Sequence, residues 1–130
     1  MTSTDCPFCN LPADRIWLQT DIGYALPDRY PVNKGHTLVI PRRHVRSIYD
    51  LDPEEISDLW KLAGEVRSKL ASEFDPDGFN IGLNDGTAAG QTIAHAHIHV
   101  VPRFSGDVVD PRGGIRWVIP ERAPYWDPET

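Results

Sequence analysis

The sequence predicts an α+β domain, in which short strands form a sheet and one long helix packs against it. Three observations carry this. Short runs of β-branched and aromatic residues are stopped by Gly and Pro, as strands are. Residues 53–74 repeat apolar side chains at helical spacing behind a helix-start signal. Residues 91–103 alternate histidine with apolar residues at a period of two, the repeat of a strand. With 130 residues, the chain has enough sequence for one core and too little for two. A formal net charge of -6 argues against a broad nucleic-acid surface. It leaves open a small phosphate ester held by backbone N–H groups. No apolar run reaches the length of a membrane span and no basic-then-apolar leader opens the sequence, so a cytoplasmic protein away from membranes is expected.

In chain order, Cys6-Pro7-Phe8-Cys9 comes first. Three readings of the pair are open: a redox motif, incidental thiols, or half of a tetrahedral zinc site completed by histidines from elsewhere. Ile16–Gln19 and Tyr24–Leu26 read as a hairpin around Thr20–Gly23. Pro27 and Pro31 end the second strand and leave Asp28 in a loop, where an Asp is ordinarily a turn-former. Gly35–Ile40 is strongly β-forming and stops at Pro41, with His36 at its start and His44 beyond its end. Asp52 can cap a helix that Pro53 opens, and Glu54 and Glu55 suit the positive end of its dipole. Leu59, Leu62, Ala63, Val66 and Leu70 give it one apolar stripe, and it should end about Phe74. Phe79–Asn84 is another strand. The small-residue loop Asp85–Gly90 that follows is either a tight connection or, placed before histidines, an anion cradle.

Gln91–Arg103 is the stretch around which the rest is organised. On a strand, His95, His97 and His99 line one face while Ala96, Ile98 and Val100 turn to the other. Neighbouring imidazoles would start about 6–7 Å apart, which suits separate duties at one site or two histidines chelating a metal. The C-terminal stretch is rich in Pro, Gly and Arg, with Trp117–Ile119 as a possible short strand.

His-x-His-x-His with apolar filling, preceded by Gly90-Gln91-Thr92 and joined by Gly35–His44, resembles the histidine-triad (HIT) family of nucleotide hydrolases and transferases. The resemblance covers about residues 5–104, and residues 105–130 form a tail of the same single domain. It implies an antiparallel sheet of about five strands with one long helix and a short one, and a homodimer. It implies a nucleotidyl-histidine mechanism with His97 as nucleophile. His99 would orient phosphate oxygens or the leaving group, His36 would tune the nucleophile, and Gln91 and the glycine loop would stabilise developing charge. It places Asp28 on ribose hydroxyls, with Asn84, Gly90, Gln91 and Thr92 on ribose and phosphate oxygens. Phe8 and Leu26 become candidates for the slot that holds a purine base. It also implies one structural zinc on Cys6, Cys9, His44 and His95, with no metal needed for the chemistry.

The implied activity is hydrolysis at the α-phosphate of a dinucleoside polyphosphate or a nucleoside phosphoramidate. Residues 89–92 look like the dinucleoside-polyphosphate-cleaving branch, whereas the Cys pair looks like the bacterial members. Two rivals stand beside it. One is a hydrolase using His95, His97 and a third residue to hold a catalytic zinc; the other is a nucleotide-binding sensor without turnover.

Overall fold

The computed structural model describes residues 5–126. Five strands form one antiparallel sheet: β1 (Leu18–Gln19), β2 (Gly23–Pro27), β3 (Thr37–Pro41), β4 (Gly78–Leu83) and β5 (Ile98–Arg103). Their spatial order is β1-β2-β3-β5-β4, so β4 is an edge strand and β5 lies between β3 and β4. One long helix, α1 (Pro53–Phe74), joins β3 to β4. The α+β architecture and the strand number agree with the expectation. The shorter helical pieces are all 3₁₀, among them the single turns Ile48–Asp50 and Thr87–Ala89. No helix among the described residues is long and apolar enough to cross a membrane.

Helix α1 runs where its sequence places it. The Glu55 carboxylate reaches back to the Asp52 N–H at 3.1 Å, satisfying one donor that the first turn leaves open. At the other end Asp75 turns left-handed at φ 49°, and its N–H returns to the Ala71 carbonyl. The stripe Leu59, Leu62, Ala63, Val66 and Leu70 is buried against Ala25, Val39, Ile98 and Val100, one row of side chains from each central strand.

The other face of the sheet positions the site. Residues opposite one another in register share a face. Leu26 lies opposite Leu38, Leu38 opposite His99, and His99 opposite Gly82, so these four make one row across the second face. The N-terminal segment covers one end of that face. Cys6 and Phe8 pack there with Leu26, Leu38 and Ile40 in a second apolar cluster. The C-terminal segment reaches the other end, over β4 and β5, where it borders an open cavity. His99 lies between the two covers.

Two expectations change. The strand expected over 91–103 starts only at Ile98, because β3 and β4 both reach their last partner there, in Val39 and Leu83. Residues 91–97 are held by other bonds, including the Ala96 N–H to the Val45 carbonyl at 2.7 Å. The short strand expected at Trp117–Ile119 is instead two 3₁₀ turns, Gly114–Val118 and Pro120–Arg122. Arg116 ties them together by donating to the Arg122 and Ala123 carbonyls, and among the described residues no strand pairs with them.

Candidate active site and metal centre

Hydrogen bonds to backbone groups fix which nitrogen of each histidine carries a proton, since a carbonyl only accepts and an amide N–H only donates. His97 Nδ1 lies 2.9 Å from the His95 carbonyl and must donate to it. In the neutral ring, Nε2 of His97 is then an unprotonated nitrogen with its lone pair available. His95 Nε2 lies 2.8 Å from the Pro41 carbonyl, so its Nδ1 carries the lone pair. His36 Nδ1 accepts the Val32 N–H, which puts the proton on Nε2. That proton faces His99 Nδ1 at 2.9 Å and Asp28 Oδ2 at 3.3 Å. His99 accepts at Nδ1 and so carries its own proton on Nε2.

The result is a line Asp28–His36–His99, with the His97 ring 5.1 Å from that of His99. His36, expected to lie near His97 and tune it, is in direct contact with His99, whose ring lies next to that of His97. Burial first, and then the neighbouring His97 and His36, lower the pKa of His99 to about 4 against the opposing pull of Asp28. Burial also lowers that of His36, with Asp28 opposing. Both rings are therefore neutral near pH 7.

Other expected site residues stand differently. Gln91 is buried, and its amide is fully occupied: Oε1 takes the Gly86 N–H, and Nε2 donates to the Arg46 and Ile93 carbonyls. It braces the loop and has no N–H left for a phosphate. The Gly90 N–H likewise turns inward to the Thr87 carbonyl, and Gly90 itself sits at φ 100°, where a side chain would be strained. Thr92 is exposed beside them. Leu26 has no exposed surface and Phe8 only 7%, so in this structure they form a packed floor and not an open slot. Phe8 instead sets its ring edge-on against both His97 and His95. Asn84 lies across the sheet from this floor, in a cavity it shares with His99. Asp28 and His36 open on the opposite side to a wide groove of about 1340 Å³, which extends to Phe74 at the end of α1.

Cys6, Cys9, His44 and His95 converge, with one donor atom from each inside 4.8 Å of all the others. Sγ of Cys6 lies 3.3 Å from His95 Nδ1, Sγ of Cys9 3.2 Å from His44 Nδ1, and the two Nδ1 atoms 3.2 Å apart. A tetrahedral zinc with bonds of about 2.3 Å to sulfur and 2.0 Å to nitrogen needs donor separations of about 3.3–3.8 Å. The cluster fits that requirement. Its donor set is complete with four protein groups, as a structural zinc demands. Burial, a hydrogen bond from Cys6 and its proximity push the Cys9 thiol up to about 11, so a cation is what would let both thiols ionise together. Both nitrogens of His95 are committed here, which leaves neither to converge with His97 on a second metal.

The HIT domain family model matches residues 12–106. The chain belongs to the HIT family. Among its relatives, the Dictyostelium discoideum bis(5'-adenosyl)-triphosphatase is 42% identical over 92 residues, covering 71% of this chain and 62% of that protein. The Schizosaccharomyces pombe bis(5'-nucleosyl)-tetraphosphatase (asymmetrical) is 37% identical over 93 residues, covering 72% of this chain and 51% of that one. The chain thus spans about half to three-fifths of the length of these curated relatives. A zinc-bound HIT structure from Mycobacterium smegmatis superposes with a TM-score of 0.74 at 36% identity, covering 84% of this chain and 82% of that one. The HIT match begins after both cysteines and stops before most of the C-terminal segment. Those two flanks cover the ends of the sheet's second face, so its span alone does not describe the site.

The Asp28–His36 contact is what sequence reasoning missed. Asp28 and His36 are eight positions apart in sequence, and they meet because Pro27 pairs with Thr37 in the β2–β3 ladder and the Asp28 N–H bonds the His36 carbonyl at 2.9 Å.

Proposed function

We propose that the chain is a nucleotide hydrolase acting at an α-phosphate through a nucleotidyl-histidine on His97. The observation that carries this reading is the bond from His97 Nδ1 to the His95 carbonyl, which leaves Nε2 unprotonated and free to attack. In the first step the Nε2–phosphorus bond forms as the bond from phosphorus to the leaving group breaks, and its electron pair departs with that group. The ring becomes cationic, and the His95 carbonyl at 2.9 Å stabilises the charge on Nδ1–H. His99 offers its Nε2–H to the departing atom, while His36 holds the other side of that ring. Water then attacks phosphorus, the P–N bond breaks, and neutral His97 returns. The product is a nucleoside monophosphate, and the excess proton goes to solvent.

A His99 whose pKa is lowered to about 4 is poorly stocked with a transferable proton at pH 7. It therefore favours leaving groups that depart as anions, such as the rest of a polyphosphate chain, over the amine of a phosphoramidate. The relatives named as bis(5'-adenosyl)-triphosphatase and bis(5'-nucleosyl)-tetraphosphatase support the same choice. The nucleoside enters from the side of Asp28, whose carboxylate holds the ribose, and Thr92 and Asn84 flank the phosphates. Gln91 and Gly90 act by positioning the loop. Zinc held by Cys6, Cys9, His44 and His95 supplies structural cross-linking of the N-terminal segment and takes no part in the reaction. The free edge of β4 suits pairing of two copies, so the active form is a homodimer.

His97→Ala should abolish nearly all turnover of a diadenosine polyphosphate yet keep nucleotide affinity within about tenfold, because binding is spread over ribose, base and phosphate contacts. Rapid quenching at alkaline pH should trap a nucleotide on His97 of the wild-type chain. Substantial hydrolysis by the variant would overturn the covalent route.

A further inference from the structure

The second cavity lies on the far side of His99 from Asp28, between the β4–β5 surface and the C-terminal segment, with a volume of about 470 Å³. Its size is that of a small-molecule pocket. His99, Gly82 and Asn84 lie at the end nearest the chemistry. Gly82, directly opposite His99, has open space where a Cβ would stand, which leaves the passage from His99 clear. The segment is seated by close approach: a Cβ on Gly114 would come within 3.3 Å of Asn80 Nδ2. Trp117 is fixed by its Nε1–H to the Arg112 carbonyl at 2.8 Å and presents its indole to the cavity beside Ile115.

The charges around the cavity are already matched. Arg103 is bound by both carboxylate oxygens of Asp107, and Asp110 by Arg112. No unpaired cation lines the cavity to hold a sulfate, and no unpaired carboxylate to hold an amine. What remains is an apolar wall of Val101, Val108, Ile115 and Trp117, with amide tips from Asn80 and Asn84. Asn80 Oδ1 accepts from Arg103 Nη1, so its N–H groups are the part still free, and the Asn84 amide has no partner among the described residues. A flat, neutral group with hydrogen-bonding edges matches this lining. A nucleobase is such a group, since every base has a face to stack on an indole and an edge to meet amides.

We propose that this cavity is the leaving-group site and that it takes a second nucleoside, with Trp117 as the stacking platform. This rests on the hydrolase reading above and deepens it, by assigning a place in this chain to the far end of a polyphosphate leaving group that carries a second nucleoside. The polyphosphate bridge then crosses His97 and His99 between the Asp28 groove and the Trp117 cavity. The C-terminal segment, outside the HIT match, becomes the part of the chain that selects the leaving group.

The test compares two substrates that share the adenylyl half: a diadenosine tetraphosphate and adenylyl sulfate, whose leaving group is too small to reach the indole. The reading is the ratio of their kcat/KM values. Trp117→Ala should lower the ratio at least tenfold, Ile115→Ala about threefold, and Trp117→Phe should keep it within about threefold because stacking survives. Equal losses on both substrates, or an unchanged ratio in Trp117→Ala, would overturn the proposal. Should Trp117→Ala fail to fold, the ratio in exposed Ile115→Ala decides by itself. If the wild type cleaves neither compound, the hydrolase reading fails separately, and binding judges the cavity. Trp117→Ala should then weaken a methylene-bridged diadenosine polyphosphate at least fivefold more than AMP, and parallel changes in the two affinities would refute the site.

Discussion

Oδ2 of Asp28 faces His36 Nε2 at 3.3 Å, while its Oδ1 accepts the Tyr30 N–H at 2.8 Å. The same carboxylate borders the groove proposed for the ribose. It therefore has two separable effects: one on the substrate's hydroxyls, and one through His36 on the orientation of His99. For Asp28→Ala, a lost hydrogen bond to a charged group should raise KM for a ribonucleotide roughly ten- to hundredfold. A 2′,3′-dideoxy substrate should escape that rise. Yet kcat should fall several-fold with both substrates, because His36 loses the acceptor that helps hold its Nε2–H in line. Steady-state kinetics with the two substrates separates the effects. An unchanged kcat in the variant would restrict Asp28 to the ribose, and an equal KM effect on both substrates would remove it from the ribose. The ribose half of this was legible in the sequence by resemblance. The His36 half was not, because it depends on a loop conformation set by Pro27 and Pro31 and by the Asp28 N–H to His36 carbonyl bond.

Elements were legible where their determinants were local. The cap, the first-turn proline and the apolar stripe of α1 all lie within its own residues, and its limits fall at Pro53 and Phe74 as read. The triad strand was misjudged because alternation of side chains says nothing about where neighbours stop. His95 and His97 keep the alternating spacing, but the sheet offers them no partner before Ile98. The brace that holds them, Gln91 to Arg46 across 45 residues, leaves no mark on local pattern. Two glycines test how the elements are packed. A Cβ on Gly23 in β2 would lie 2.6 Å from the Ile40 carbonyl oxygen and 3.0 Å from Leu59 Cδ1, so backbone must move to admit it. Gly23→Ala should cost about 1–3 kcal/mol by overpacking. Gly64, inside α1, has nothing within 4 Å of its Cβ position, and Gly64→Ala should stabilise by roughly 0.5–1 kcal/mol through helix propensity. Urea denaturation of the pair reads both signs. A neutral Gly23→Ala would mean that β2 and α1 are not as closely apposed as described.

For the whole molecule, the question is what holds the N-terminal segment down on the sheet. Cys6 and Phe8 belong to the smaller of the two apolar clusters, and among the described residues no strand pairs with them. A cluster that small is weak support for a segment that must also fix the face of His97. The converging set Cys6, Cys9, His44 and His95 joins three separate parts of the chain: the segment, the turn after β3, and the approach to β5. One zinc there would tie all three together through His95, two positions before His97. Protein purified without added metal should therefore carry close to one zinc per chain by elemental analysis, with both thiols unreactive until the metal is removed. Cys6→Ser with Cys9→Ser should lose the zinc and lower the thermal midpoint by at least about 5 °C, corresponding to a loss of a kcal/mol or more for a domain this size. If the ion lies outside the reaction path, as proposed, a strong chelator should reduce turnover only as fast as it extracts zinc and loosens the fold. Less than a tenth of an equivalent of zinc with freely titrating native thiols would retire the metal centre. Abrupt loss of turnover on chelation, before any change in the midpoint, would instead assign the metal to the chemistry.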